Sequence, residues 1–162
     1  MGDRTVVRFV SGSPGEPAEA CVYLHWGGAP NQMAVLFNEF FTRVETESLA
    51  DTRYNDPSYL ASKFVVFCVL YEFEEEHQRV TLDFSGVGIV ADRPIENASH
   101  GFWLYSIIAN GSKSRKGLRR PDVIFHDVLL HNGDSGKEEV VWQRFVPLAE
   151  AANIYEEDKQ NG

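Results

Sequence analysis

The chain predicts an α+β fold: a mostly antiparallel sheet with two long helices packed on one face and a short C-terminal helix. Three observations carry this. Two β-rich runs come first, two segments with helical apolar spacing follow, and a series of further β-rich runs then leads to a short helical end. Strands and helices grouped in this way describe helices laid on one antiparallel sheet, whereas a doubly wound parallel fold would alternate them.

The first two runs, residues 5–10 and 20–26, are separated by Ser-Gly-Ser-Pro-Gly-Glu-Pro. That cluster of turn formers continues neither strand and predicts a hairpin with a long loop. Alternation in the second run sets Val22, Leu24 and Trp26 against Cys21, Tyr23 and His25, so both faces are partly apolar and the strand is expected inside its sheet. After Gly27-Gly28-Ala29-Pro30 the period changes. Met33, Leu36, Phe37, Phe40, Phe41 and Val44 form one helical stripe and predict a helix over residues 31–47. Asp56-Pro57 opens a second helix, because Asp caps free amides and proline at the first position has no amide to leave unpaired. Leu60, Phe64, Phe67, Cys68 and Tyr71 mark its face, and the acids Glu72, Glu74, Glu75 and Glu76, ill placed at a helix C-terminus, predict an end near Tyr71. Residues 80–91, 102–109 and 123–130 suit antiparallel meander strands, with 139–145 as a last strand. Residues 147–155 form a short closing helix with proline at its start. The expected organisation is a single domain over residues 1–155 with a polar tail at 156–162.

Composition narrows the function. With 162 residues, 43% of them hydrophobic and eleven Phe, the chain suits one packed domain. It contains no stretch of about 18 apolar residues and no secretory signal, and its two cysteines, Cys21 and Cys68, sit among apolar neighbours. A soluble, cytoplasmic protein with two buried thiols and no membrane contact is expected. The net charge of −9, from 24 acids against 15 bases, argues against direct nucleic-acid binding. It fits plain solubility, or steering toward a basic protein partner.

The best local site candidate is Tyr23-Leu24-His25-Trp26-Gly27-Gly28-Ala29-Pro30, continuing to Asn31. A strand ends there, two glycines bend the chain and a helix opens, which is the arrangement that presents unpaired backbone amides to a phosphate or carboxylate. Tyr23, His25, Trp26, Gly27, Gly28 and Asn31 are therefore the candidate ligand-binding residues. The glycine spacing matches neither a dinucleotide fingerprint nor a Walker loop. A tight turn with a satisfied His and a core Trp is the structural alternative.

This string resembles the Tyr-x-His-Trp-x-Gly-x-Pro signature of a loosely defined group of small, uncharacterised bacterial, archaeal and phage proteins. Residues 56–66 and 82–90 are similar to segments of those proteins in the same order, so the resemblance covers about residues 20–109. It implies a shared fold and no particular activity. Two departures stand out: Gly27 replaces an Asp common in that group, and the run His100-Gly101-Phe102-Trp103-Leu104-Tyr105 lacks acids found there. If those acids are bases or metal ligands in the group, this chain has lost them.

Elsewhere the signals are weaker. His126-Asp127 and His131 have poor ligand spacing, no nucleophile elbow surrounds Ser85, and neither a catalytic residue nor a metal or cofactor is called for. The one basic run contains Lys113, Arg115, Lys116, Arg119 and Arg120, expected as a solvated hairpin tip or alternatively as an anion or partner contact. The leading expectation is a non-enzymatic binding protein for a small anionic or nucleotide-like ligand at the glycine turn. The alternative is an acidic protein-interaction or inhibitor module, of the kind a phage directs against a host defence system.

Overall fold

In the computed structural model, which describes residues 4–47, 51–76, 86–93 and 102–161, the elements follow in the order β1 (Arg4–Val10), β2 (Ala20–Leu24), α1 (Pro30–Glu47), α2 (Pro57–Glu76), β3 (Val87–Ile89), β4 (Phe102–Ile108), β5 (Asp122–Asn132), β6 (Glu138–Pro147) and α3 (Leu148–Asn161). The six strands form one sheet in the order β3-β2-β1-β4-β5-β6. Every neighbouring pair is antiparallel except β1 with β4, which run parallel from Arg4 opposite Phe102 to Val10 opposite Ile108. The α+β architecture is as the sequence predicts. The sheet is a meander only from β4 onward, because the chain leaves β2 through two helices, returns as β3 on the outer edge of β2, and then enters β4 on the free side of β1.

Strand alternation explains the two faces. Val7, Phe9, Val22, Leu24, Tyr105, Ile107, Phe125 and Val146 point to the helical face. There they meet the stripe of α1 and the inward residues of α2, with Phe37, Phe40, Phe64 and Phe67 all at or below 5% exposure. The rings pack as tilted, stacked and edge-on pairs with centroids 5.1–5.8 Å apart between Phe64 and Phe9, Phe37 and Phe40, separations at which aromatic pairs attract beyond their area burial. Ala151 of α3 joins the same core, so three helices share this face. The opposite face has a small apolar patch of Val6, Cys21 and Leu104, beside a buried polar cluster described below.

Several boundaries differ from expectation. α2 continues past Tyr71 to Glu76; acids at a helix C-terminus cost only about 0.3–1 kcal/mol each, too little to stop a helix anchored by Phe64, Phe67 and Tyr71. α3 reaches Asn161, so residues 156–161 are helical where a polar tail was expected. β3 is described only at Val87–Ile89; the predicted strand's residues 80–85, like Ser85, His77 and His100, fall outside the described residues. Cys21 and Cys68 are buried free thiols. No described helix is long and apolar enough to cross a membrane.

Candidate functional site

The glycine turn closes one end of the helical layer. Strand β2 runs out at Leu24, the His25 amide donates to the Gly86 carbonyl, and the backbone then passes through Gly27 and Gly28 at φ 106° and 147°. Both values lie where only glycine is comfortable. A Cβ on Gly27 would stand 2.5 Å from Thr5 Oγ1 and 3.0 Å from Met33 Sδ, so the turn lies directly against β1 and α1. Tyr105, fully buried on β4, donates its hydroxyl to the Gly28 carbonyl at 2.5 Å and pins the bend from beneath.

Helix α1 starts here without a side-chain cap. The Ala29 carbonyl accepts from the amides of Gln32 and Met33, which puts an alanine at the capping position, and the first turn carries no acid. Pro30 has no amide hydrogen, so the Asn31 amide is the one first-turn amide that these bonds leave over. Three side-chain atoms around the turn are buried without a hydrogen-bond partner: Thr5 Oγ1, Trp26 Nε1 and Asn31 Oδ1. Thr5 is 0% exposed. Buried polar atoms are nearly always satisfied, and three orphans at one turn set it apart.

The candidate residues separate into two groups. Thr5, Gly27, Gly28, Asn31 and Trp26 form the turn proper, with the Trp26 ring half-buried and stacked on Tyr71 at 5.8 Å. His25 is exposed and lies on the other side, its Nδ1 2.9 Å from the Tyr23 hydroxyl and its ring edge-on to Tyr23. His25 and Tyr23 thus border the turn from the far face of β2, as alternation requires. Thr5 and Tyr105 carry no local sequence signal; the β1–β2 hairpin sets Thr5 opposite Leu24 beside the turn, and the β1–β4 pairing brings Tyr105 beneath it.

The basic run is a loop between β4 and β5, closed by the Ser112 amide on the Arg119 carbonyl and the Arg119 amide on Ser112 Oγ. Lys113, Arg115, Lys116 and Arg119 are exposed, as expected of a solvated tip, and Arg119 lies 3.7 Å from Asp122. Arg120 is engaged elsewhere. Its guanidinium makes a two-pronged contact with Glu45, with both bonds at 2.8 Å, and also reaches Asn38 and Thr42 of α1. That contact holds the Glu45 carboxyl below its ordinary range, with Tyr54 adding a second bond.

The sheet's other face holds a second constellation. Arg8, 1% exposed, bonds Asp92, Ser106 Oγ and the carbonyls of Pro14 and Glu16; Asp92 also accepts from the Ala18 amide. Ser106 Oγ is 2.6 Å from His126 Nε2, and His126 Nδ1 is 3.1 Å from Gln143 Nε2. Burial, reinforced by the Arg8 charge, pushes the His126 imidazole down to about 3. Burial and the nearby Asp92 push the Cys21 thiol up to about 12. These values favour a neutral imidazole and a protonated thiol at neutral pH, and the pairing fastens the 11–19 loop to the sheet. His126, a polar residue of β5, is 3% exposed and part of this network. Its one sequence signal is the isolated polar residue inside an apolar strand, as in Val-Val-Arg-Phe-Val and Leu-Tyr-Ser-Ile-Ile. Among the described residues no group of three or more His, Cys, Asp or Glu could hold a metal ion. Compared with known proteins, no family model, no curated protein and no solved structure matches the chain.

Proposed function

We propose that this is a binding protein whose turn at residues 23–31 holds the carboxylate or phosphate group of a small, nucleotide-like or otherwise anionic ligand. The observation that carries the reading is the coincidence of an uncapped helix start with three buried polar atoms that lack partners. The Asn31 amide at this start, together with the dipole, favours an oxyanion. Thr5 and Trp26 contribute hydroxyl and indole donors at the same place, the unpartnered Asn31 Oδ1 accepts from a donor group on the ligand, and exposed His25 stands at the border on the far face of β2.

A thermal-shift series with inorganic phosphate, nucleoside monophosphates, sugar phosphates and dicarboxylates tests this. A bound member raises the melting temperature in proportion to the logarithm of its concentration once past its Kd. His25→Ala, at an exposed site, leaves folding intact and weakens that ligand by about 1.5–3 kcal/mol if His25 donates to its charged group. A flat response to every anion means the turn is a bend and nothing more.

A further inference from the structure

Strand β6 is the last strand of the described sheet, and its outer side pairs with no other strand of that sheet. The edge it offers is ten residues long. Backbone groups in a sheet turn alternately to one neighbouring strand and the other. Followed outward from the Ala109 amide on the Val10 carbonyl, this alternation leaves the N–H and C=O of Val140, Gln143 and Phe145 directed away from β5. Such a row of groups is a template for a further strand. The side chains beside it are apolar for a solvated margin: Val141, Trp142 and Phe145 are each at least 44% exposed, and Leu129 of β5, opposite Trp142, is 57% exposed.

Two features select the strand that fits. The first is a bulge, because β5 steps from Leu129 to Leu130 while β6 steps from Trp142 to Val140, and Val141 is the extra residue. A bulge ordinarily protects an edge. Here it sets the outward positions Val140 and Gln143 three residues apart, whereas a regular strand offers its own two apart. A second copy of β6, run antiparallel with the two-fold axis between Val141 and Trp142, carries the same interruption at the same place. Val140 then lies opposite Gln143 of the second copy, and the phase is kept on both sides of the bulge.

The second feature is charge. The strand reads Glu-Glu-Val-Val-Trp-Gln-Arg-Phe, acidic at one end and basic near the other. In the register that matches the bulges, exposed Glu139 falls opposite Arg144 of the second copy, twice by symmetry, and Val141 falls opposite Trp142. Arg144 bonds Asp127 at 3.2 Å and is 51% exposed, and a guanidinium has donors for a second carboxylate. A register centred on Arg144 would instead set two arginines against each other.

We propose that β6 pairs antiparallel with β6 of a second copy of this chain, joining the two sheets into one continuous sheet. The contact is isologous, each copy supplying the same residues, and it covers Val141 and Trp142 at its centre. It is independent of the glycine turn and of any ligand there.

Sedimentation equilibrium of the full chain between about 1 and 200 µM tests the inference. The parent is a monomer in concentration-dependent equilibrium with a dimer. Val140→Pro, which removes an outward N–H and no bond to β5, lowers the association constant about tenfold or more and leaves the far-UV circular dichroism unchanged. Glu139→Arg and Arg144→Glu each set like charges against each other at both ends of the contact and weaken it about tenfold. Mixed in equal amounts, those two variants associate as well as the parent, because each then meets the opposite charge at both positions. A parent that stays monomeric throughout overturns the proposal, as does a dimer that Val140→Pro leaves intact, charge variants that dimerise alone like the parent, or charge variants that remain apart when mixed.

Discussion

Among the described residues, Arg8 is the one lysine or arginine that is fully buried. A guanidinium at 1% exposure is tolerable because Asp92, Ser106 and two loop carbonyls take its donors, and removing the carboxylate strands the charge. Asp92→Asn should therefore destabilise by about 3–5 kcal/mol in urea denaturation, whereas exposed acids such as Glu39 change little when neutralised. His126 makes a pH prediction with a definite sign. It faces Arg8 on β1, Asp92, Ser106 on β4, and Gln143 and Phe145 on β6. Its folded value of about 3 lies below the unfolded 6.5, so the neutral form is favoured in the fold. The stability it contributes is complete above pH 6.5 and is lost as pH falls toward 3, by up to about 1.4 kcal/mol per pH unit. Between pH 6.5 and 5, before most carboxylates titrate, His126→Gln should show a shallower fall in denaturation midpoint than the parent. Equal slopes would mean that His126 is charged in the folded state. At the turn, Gly27→Ala must accommodate φ 106° and a methyl 2.5 Å from Thr5 Oγ1. A loss of about 1–3 kcal/mol is expected.

At the scale of elements, the helices were the most legible part of the sequence. The positions of Phe37, Phe40, Phe64 and Phe67 follow from a 3.6-residue period that is wholly local, and all four are buried. Phe64 touches Phe9, Phe37, Phe40 and Phe67, so Phe64→Ala should cost about 3–5 kcal/mol by denaturation and leave a void no neighbour can fill without moving. Helix ends were less legible. The stop expected at Tyr71 rested on a charge–dipole effect of tenths of a kcal/mol, while the packing of Trp26 against Tyr71 and of Phe67 on Phe40 is set by residues far along the chain. The turn could be located from its two glycines. That Tyr105 lies against it could not, because strand pairing across almost a hundred residues leaves no mark in either local sequence. The same holds for Arg8 with Ser106 and Asp92, 98 and 84 residues away.

For the whole molecule, the central pairing of β1 with β4 governs how the fold can be reached. Val7 must find Tyr105 and Phe9 must find Ile107, while the local hairpin with β2 and the β4–β5–β6 meander can form on their own. Closing a loop of that length is entropically unfavourable until both faces of β1 are buried together. Loop closure therefore disfavours this pairing until the hairpin and the meander have local structure. A chain emerging from the ribosome has no partner for one side of β1 until the segment Phe102–Ile108 is free, and the apolar strand Arg4–Val10 waits half-paired until then. Refolding followed by stopped-flow tryptophan fluorescence should fall in the millisecond-to-second range set by non-local topology, not the microsecond range of helical domains. Val7→Ala and Ile107→Ala should slow it together if this junction is the nucleus, and should only speed unfolding if the junction forms after the barrier.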